Sequence, residues 1–398
     1  MAEKLILAYS GGLDTTVAIK WLQENYNVDI IAVLIDLGQP EDLEDAYKRA
    51  IDTGAKKAYT IDVREEFIKD YVFLALKANS RYEKQYSLAT AIARPLIAKK
   101  LVEFANKENA GKIAHGCTAK GNDQVRFDVG IRSLDPDIEI IAPMRLWKLS
   151  REEEIAYAQK HDIKINVSKK KIYSIDENLW GRSIECGILE DPYNEPPEDI
   201  YKWTEIKVKQ GDSEYIEIDF ENGEPVALNG KTMSGAELVL ELNLIAGKYG
   251  IGRIDMVENR LIGIKSREIY EAPAAEVLIE SHRALESLVN DRELTHYKYL
   301  IEEKFSEMIY YGLWFTPLRE CLEKFILESQ KYVTGTVRVK LGYKNFAVVG
   351  RKSENSIYDF ALATYDKSDS FNPGHSESFI KMWGYPYEIL AKKGRKNG

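Results

Sequence analysis

The sequence is poor in cysteine and histidine and has no long apolar run. Its three cysteines are scattered, at Cys117, Cys186 and Cys321, and none forms a Cys-x-x-Cys pair. This excludes a disulfide framework and favours a reducing, cytoplasmic setting. No stretch of eighteen apolar residues occurs, and the N-terminus does not resemble a signal peptide, so no membrane partner is expected. The five histidines make no HExxH or paired pattern, which predicts no resident metal site.

An excess of positive charge is also missing. Lysine and arginine number 55 against 64 aspartates and glutamates, which gives a formal net charge of −9. Proteins that bind nucleic acid usually carry a basic surface, so nucleic acid is not expected as a partner. A small phosphorylated ligand needs only a local site and is not excluded. The 398 residues, 44% of them hydrophobic, are typical of a globular protein with two or three domains.

The first 165 residues alternate between short apolar runs and segments with helical spacing. This alternation predicts an α/β domain with a parallel sheet and right-handed crossovers. The predicted strands are 4–8, 29–35, 58–61, 113–115 and 138–142. The predicted helices are 15–24, 41–53, 65–76, 88–106 (bent or restarted at Arg94-Pro95) and 150–160, the last opened by a capping box at Ser150.

The pattern changes after a proline-rich connection at 191–197. Asn222-Gly223 and Asn229-Gly230 are hairpin signals, and helical patterns begin at 234, 273, 295 and 317. We therefore predict an α+β second domain. The predicted domains of the whole chain are 1–165, 166–365 and 366–398. The last part carries many large apolar side chains between 375 and 390. These side chains could form a contact with another subunit, or they could pack on their own domain.

A glycine-rich loop between the first predicted strand and the first predicted helix is the strongest local signal. Residues 8–16 read AYSGGLDTT, where adjacent glycines allow a tight turn and backbone N–H groups can cradle a phosphate at a helix N-terminus. It is neither a Walker loop nor a GxGxxG fingerprint. The simpler alternative is a tight turn in which Ser10 or Asp14 caps the helix.

The loop resembles the pyrophosphate loop of the N-type ATP pyrophosphatases, which split ATP into AMP and pyrophosphate. Five further stretches, in order along the chain, are similar to the argininosuccinate synthase family. They are 86–95 (YSLATAIARP), 115–127 (HGCTAKGNDQVRF), 174–180 (SIDENLW), 252–260 (GRIDMVENR) and 265–271 (KSREIYE).

This resemblance implies an AMP-forming carbon–nitrogen ligase. The implied reaction joins L-citrulline and L-aspartate, using ATP and Mg²⁺, and proceeds through a citrullyl-adenylate to argininosuccinate in arginine biosynthesis or the urea cycle. The implied fold is an N-terminal nucleotide-binding domain of the ATP pyrophosphatase type, an α+β synthetase domain and a C-terminal helical oligomerisation tail. The family is typically a homotetramer.

The resemblance also implies the site residues, by position. ATP is assigned to Ala8, Tyr9, Ser10, Gly11, Gly12, Leu13, Asp14, Thr15, Thr16, Ile35 and Gly116. Aspartate is assigned to Thr118, Asn122 and Asp123, and citrulline to Tyr86, Thr90, Asn122, Arg126, Ser174, Ser183, Glu258 and Tyr270. Asn122, Asp123 and Arg126 are the expected catalytic residues. Ala91 stands where family members commonly have serine, so position 91 receives no role.

Purely structural roles are the alternative for several of these residues. Asn122, Asp123 and Arg126 could be helix caps and surface pairs, and Glu258 with Arg260 could be a structural ion pair. Two further functions are compatible with the phosphate loop. A tRNA-sulfurating enzyme of the same superfamily would need a cysteine pair and a basic RNA-binding face. A regulatory nucleotide-binding protein without turnover would differ from an enzyme in releasing no pyrophosphate.

Overall fold

The computed structural model describes residues 2–118, 121–147, 151–164, 172–366 and 368–394. The predicted capping box at Ser150 lies outside these residues. Two compact units are present, Met1–Asn355 and Ser356–Gly398. The predicted boundaries at residues 165 and 365 fall inside these units and stay predictions.

The N-terminal part is built on a parallel five-stranded sheet, as the strand–helix alternation predicts. Its strands are β1 (Glu3–Ala8), β2 (Val28–Asp36), β3 (Lys57–Asp62), β4 (Lys112–Ala114) and β5 (Glu139–Ile141), in the order β3-β2-β1-β4-β5. Alternate residues of β2 enter different cores: Ile31 and Val33 pack on one face, Ile30 and Leu34 on the other. Burial on both faces explains the unbroken apolar sequence of this strand.

The order of the strands fixes where a ligand can bind. The chain passes from β1 to β2 on one side, and β4 pairs with β1 on the other side. The loops that follow β1 and β4 therefore leave the same edge of the sheet and diverge there. Such a switch point is the usual binding crevice of an open parallel sheet.

Helices cover both faces of this sheet. The helices of this part of the chain are α1 (Leu13–Tyr26), α2 (Leu43–Thr53), α3 (Arg64–Glu66), α4 (Phe73–Lys77), α5 (Ala89–Glu108), α6 (Asp123–Leu134), α7 (Pro143–Leu146) and α8 (Arg151–Lys160). The predicted helix at 65–76 is instead divided, because a π-helical segment, Phe67–Val72, separates α3 from α4. The helix α5 runs through Pro95 and does not restart there.

The rest of the first unit contains two antiparallel sheets. Its strands are β6 (Ser174–Asn178), β7 (Gly181–Glu185), β8 (Ser213–Glu221), β9 (Glu224–Leu228), β10 (Lys231–Thr232), β11 (Arg253–Asn259), β12 (Lys265–Glu271), β13 (Gly335–Gly342) and β14 (Asn345–Lys352). One sheet has the order β11-β12-β7-β6 and the other β10-β9-β8-β13-β14. The two predicted Asn-Gly turns join β8 to β9 and β9 to β10.

The remaining helices are α9 (Gly235–Gly247), α10 (Pro273–Val289), α11 (Arg292–Tyr310), α12 (Pro317–Ser329), α13 (Phe360–Ala363) and α14 (Pro373–Lys392). A capping box between Ser234 and Glu237 opens α9. In the second unit, the described helix α14 buries none of its residues. Within the described ranges, no helix is long and apolar enough to cross a membrane.

Candidate active site

The turn after β1 brings its backbone close to a neighbouring helix. Gly11 has φ +75°, and a Cβ placed there would lie 2.7 Å from Cβ of Ala46 in α2. Both the positive φ and this close approach require glycine. Gly12 is the N-cap residue of α1 and forms no side-chain cap bond. The loop therefore delivers the N-terminus of α1, with its positive partial charge, to the ligand edge of the sheet.

Hydroxyl groups hold this loop in shape. The Tyr9 hydroxyl and Thr16 Oγ1 are 2.9 Å apart, and Ser10 Oγ and Thr15 Oγ1 are 3.1 Å apart. Thr16 donates to the Gly12 carbonyl at 2.7 Å. Ser10 Oγ accepts from the Gly12 N–H at 3.4 Å, so this serine supports the turn of the loop. The structure thus brings the predicted phosphate-binding residues together in one small loop.

The loop after β4 touches the phosphate loop. A Cβ on Gly116 would lie 2.8 Å from Thr15 Cγ2, so only glycine fits there without displacing a neighbour. His115 is fully buried, and its Nδ1 accepts from the Cys117 N–H at 3.3 Å while its Nε2 lies 2.8 Å from Asp128 Oδ1. These bonds fix the backbone on both sides of Gly116. Burial raises the pKa of the Cys117 thiol, which argues against a reactive thiolate there.

Asp123 opens α6 and lies between two guanidinium groups. Its Oδ1 accepts from Arg126 Nη1 at 2.8 Å, and its Oδ2 accepts from Arg94 Nη2 at 2.8 Å. Burial raises the pKa of the Asp123 carboxyl, but the two arginines outweigh burial and hold the pKa well below its ordinary value. Arg94 also contacts Asp176 in β6. Asp123 is therefore an ionised carboxylate tied to Arg126 of its own helix and to Arg94 of α5.

Arg126 is buried and has one donor group left over. Its side chain is 4% exposed, its Nη1 donates to Asp123, and its Nε donates to the Tyr310 carbonyl at 2.9 Å. Its Nη2 is buried and has no hydrogen-bond partner among the residues that the structure describes. A buried guanidinium with a free donor is suited to an anionic ligand such as a carboxylate.

One face of the β11-β12-β7-β6 sheet carries four of the predicted citrulline residues. Residues directly opposite each other in an antiparallel pair point to the same face. Tyr270 pairs with Ser183, Ser183 with Asp176, and Glu258 with Ser266, which lies four residues before Tyr270. Ser174 is two residues before Asp176 and therefore shares this face, although it is exposed.

Glu258 is the buried carboxylate of this face. It is 3% exposed, and its two oxygens accept from the Tyr310 hydroxyl at 2.6 Å and the Tyr270 hydroxyl at 2.7 Å. Burial raises the pKa of Glu258, and the two hydroxyl bonds offset part of that rise. The alternative is a structural ion pair with Arg260, whose charge also lowers the pKa of Glu258. Arg260 contacts the carboxylates of Glu185 and Glu268.

Tyr86 and Thr90 complete this group from the start of α5. The ring of Tyr86 stacks on Tyr270 with centroids 4.1 Å apart, and its hydroxyl lies 2.6 Å from Thr90 Oγ1. The N–H groups of Thr90 and Ala91 point at the same hydroxyl, at 2.9 and 3.3 Å. Ala91, to which the sequence gives no role, is fully buried.

Some predicted residues take no part in these bonds. The Ile35 carbonyl, at the end of β2, accepts from Gln39 Nε2 at 2.8 Å. Thr118 is exposed, and its carbonyl accepts from the Gly121 N–H. Ala8 ends β1, and Leu13 and Asp14 lie in the first turn of α1. In the described part of the chain, no group of three or more His, Cys, Asp or Glu residues is placed to hold a metal ion.

Comparison with known proteins shows the family of the chain. The family model "Arginosuccinate synthase N-terminal HUP domain" matches residues 4–164, and "Arginosuccinate synthase C-terminal domain" matches residues 173–390. The chain is 57% identical over 395 residues to argininosuccinate synthase of Dictyoglomus turgidum, covering 99% of each chain. It is 54% identical over 393 residues to that of Dehalococcoides mccartyi strain 195, covering 98% of this chain and 97% of the relative.

This chain belongs to the argininosuccinate synthase family. Argininosuccinate synthases are ligases that use ATP to join citrulline and aspartate to argininosuccinate in arginine biosynthesis. The family resemblance, the α/β fold with its parallel sheet, and the enzyme class predicted from the sequence are confirmed. The residue roles stay predictions.

Three residues of the candidate site received no role from the sequence. Arg94 and Asp176 lie inside stretches that resemble the family, and Arg94 pairs with both Asp123 and Asp176. Tyr310 lies outside those stretches. It binds Asn122, Arg126 and Glu258, which are all predicted site residues.

Proposed function

We propose that this chain forms argininosuccinate from L-citrulline and L-aspartate through a citrullyl-adenylate, with AMP and pyrophosphate as the other products. The observation that carries the proposal is a buried pair of opposite charges. Arg126 offers an unused Nη2 donor, and its charge lowers the pKa of the Glu258 carboxyl, so the two groups interact electrostatically. This pair complements the carboxylate and ammonium groups of a free amino acid.

The chemistry explains why ATP is cleaved between its α and β phosphates. The ureido carbon of citrulline is a poor electrophile, because two nitrogens donate electrons into it. Attack of the ureido oxygen on the α-phosphorus releases pyrophosphate and makes that oxygen part of an AMP leaving group. The aspartate amine then adds to the carbon and expels AMP. The residues of the chain align the reactants and balance charge, and none needs to act as a nucleophile.

We assign the triphosphate to the loop Ala8–Thr16 and the nearby Gly116. Backbone N–H groups at the start of α1 and the hydroxyls of Ser10 and Thr15 suit phosphate oxygens. Mg²⁺ enters with ATP as part of the substrate and neutralises triphosphate charge. Asp14, in the first turn of α1, offers an oxygen ligand of the kind that Mg²⁺ takes.

We assign aspartate to Thr118, Asn122 and Asp123. The strongly held negative charge of Asp123 suits the aspartate amino group, which must be directed at the activated carbon. We assign citrulline to Tyr86, Thr90, Asn122, Arg126, Ser174, Ser183, Glu258 and Tyr270. Sharing Asn122 between both substrates would place the amine close to the ureido group.

Pyrophosphate release tests this proposal. We expect release from ATP when citrulline is present, and argininosuccinate only when aspartate is added as well. No release with all three substrates and Mg²⁺ would contradict the enzyme claim and favour a regulatory protein. Release that depends on RNA would favour the tRNA-sulfurating alternative.

We also propose that the enzyme works in the cytoplasm as a homotetramer and binds neither nucleic acid nor a membrane. The apolar segment 375–390 is our candidate for the contact between subunits. Phe379, Met382 and Trp383 of α14 are each at least 60% exposed in the isolated chain, and covering them by a second copy would be favourable.

A further inference from the structure

We propose that Tyr310 is a positioning residue that sets the relative placement of the citrulline and aspartate sites. This inference rests on the proposed function and concerns a residue to which neither the sequence nor the family resemblance gives a role. Tyr310 is the last residue of α11, and its side chain is fully buried. It acts through Asn122, Arg126 and Glu258, and touches no reacting atom itself.

The hydroxyl of Tyr310 connects two predicted substrate ligands. It donates to Glu258 Oε1 at 2.6 Å and accepts from Asn122 Nδ2 at 2.8 Å. Because a phenol has one proton, donation to the carboxylate obliges it to act as acceptor toward the amide. This fixes the amide orientation of Asn122, whose Oδ1 in turn accepts from the Leu261 N–H at 2.9 Å. A single hydroxyl thus connects Glu258, assigned to citrulline, with Asn122, assigned to both citrulline and aspartate.

The backbone and ring of Tyr310 hold Arg126. The carbonyl of Tyr310 accepts from Arg126 Nε at 2.9 Å, and the ring lies 4.8 Å from the guanidinium carbon. The carbonyl is available because the last turn of a helix leaves its C=O groups without helical partners, and a cation is favoured there. With Nε and Nη1 engaged, the remaining Nη2 has a fixed direction in which to meet a carboxylate.

A glycine after the end of α11 permits the close approach of α6. Gly312 has φ +73°, and a Cβ there would lie 2.8 Å from the Arg126 Cα. A side chain at position 312 would push α6 away from the end of α11. The close contact between the two helices is therefore a built feature of the fold.

The decisive variant is Tyr310→Phe in the full chain. It keeps the ring, the carbonyl and the stacking, and removes only the hydroxyl bonds. We expect KM for citrulline and KM for aspartate each to rise about tenfold, since Glu258 and Asn122 each lose the hydrogen bond that orients them. KM for ATP should stay within about twofold, because Tyr310 makes no bond to the phosphate loop in the described residues.

A pH profile distinguishes positioning from simple structural support. Glu258 must be ionised to hold an ammonium group, so activity falls as pH drops through its pKa. The Tyr310 hydroxyl lowers the pKa of Glu258, and its loss should raise that pKa. The acid limb of kcat/KM for citrulline should therefore move to higher pH in Tyr310→Phe.

Tyr82→Phe is the matched control. The Tyr82 ring stacks on Tyr310 with centroids 3.5 Å apart, and its hydroxyl donates to the Asn259 carbonyl at 2.7 Å, so this variant also loses one tyrosine hydroxyl bond. This variant should change neither the KM values for the three substrates nor the acid limb of kcat/KM for citrulline. Tyr310→Phe with all KM values and the acid limb unchanged, or with citrulline alone affected, would overturn the proposal. Absence of pyrophosphate release by the wild-type chain would instead overturn the proposed function.

Discussion

Asp123 is held by two arginines from different elements, which stabilise the charge of its carboxylate. Arg126 follows it on α6, and Arg94 reaches it from α5. A residue held in this way can serve substrate binding, or it can only keep two helices together. The two roles differ in which substrate suffers when the carboxylate is removed.

We predict that Asp123→Ala lowers kcat/KM for aspartate by about a hundredfold, a loss of ~3 kcal/mol. The reason is that the amino group of the bound aspartate loses the carboxylate that we propose as its partner. KM for ATP should remain within about twofold. Steady-state pyrophosphate release with each substrate varied in turn measures both. Asp137→Ala, which removes an exposed carboxylate just after α6, is the control. Equal losses for aspartate and ATP would show that Asp123 is structural.

Gly312 allows a second test at the scale of one residue. Gly312→Ala and Gly211→Ala both place a side chain at positive φ, which costs about 1–2 kcal/mol of stability. Only position 312 lies against Arg126, whereas a Cβ at 211 meets nothing within 4 Å. We expect Gly312→Ala alone to raise KM for citrulline by about tenfold or more. A similar rise in Gly211→Ala would mean that backbone strain, and not the helix contact, is responsible.

At the scale of elements, the sequence predicts the first sheet well and the site-bearing sheet poorly. The strands of the parallel sheet are apolar because both of their faces are buried, so their pattern is clear. In β11 and β12 one face carries Glu258, Glu268 and Tyr270, which belong to a polar site and interrupt the apolar alternation of a strand. The resemblance to a family identifies these stretches, but it does not predict that they are strands.

The missed contacts have a different cause. Tyr310 binds Arg126 across 184 positions of sequence, and nothing local marks a tyrosine at the end of a helix as a partner. Arg94 is similar, since its position in α5 is evident but its partner Asp176 comes 82 positions later. Sequence therefore predicts which residues are available at the site. The crossing of the elements decides which of them meet.

A buried ionic cluster joins α10 to α11. Lys298 is 1% exposed and lies 2.6 Å from Glu302 Oε1 and 3.0 Å from Glu286 Oε1. Asn79 donates to both carboxylates, at 2.6 and 2.7 Å. Burial raises the pKa of Glu286, but Lys298 and its other neighbours outweigh burial and lower it. Removal of the lysine would leave the buried Glu286 carboxylate without its cation and Glu302 with only Arg283, at 3.9 Å.

We predict that Lys298→Met lowers the free energy of unfolding by about 3–5 kcal/mol, measured by urea unfolding at neutral pH. The loss should be smaller in mild acid, where the unpaired carboxylates take up protons. Lys48→Met removes the exposed pair with Glu44 and should leave the free energy of unfolding nearly unchanged, because solvent screens this pair. If both variants unfold alike, the cluster contributes no more than a surface pair.

At the scale of the whole molecule, α14 presents large apolar groups that no described residue of the isolated chain buries. Phe379 and Trp383 stack with centroids 5.6 Å apart and are 60% and 65% exposed. A surface of this kind is typical of a subunit contact. It is also the part of the chain where one substitution should change assembly without changing the catalytic residues.

We predict that Trp383→Asp lowers the molar mass of the particle measured by light scattering, because a charge would be buried in the contact. Tyr193→Asp changes an aromatic side chain that is 97% exposed, in the first unit, and should leave the mass unaltered. A Trp383→Asp protein with unchanged mass would exclude α14 as the contact.

The bond between Arg126 and the Tyr310 carbonyl has a consequence for the order in which the protein is made. The ribosome releases the chain from its N-terminus, and domains can fold as they emerge. The phosphate loop and its sheet use residues up to Ile141, whereas the guanidinium of Arg126 lacks its backbone acceptor until residue 310 has left the ribosome. A nascent chain can thus form its nucleotide pocket well before it can form the proposed citrulline site. The site for citrulline, which accepts the adenylyl group, is therefore completed after the site for ATP.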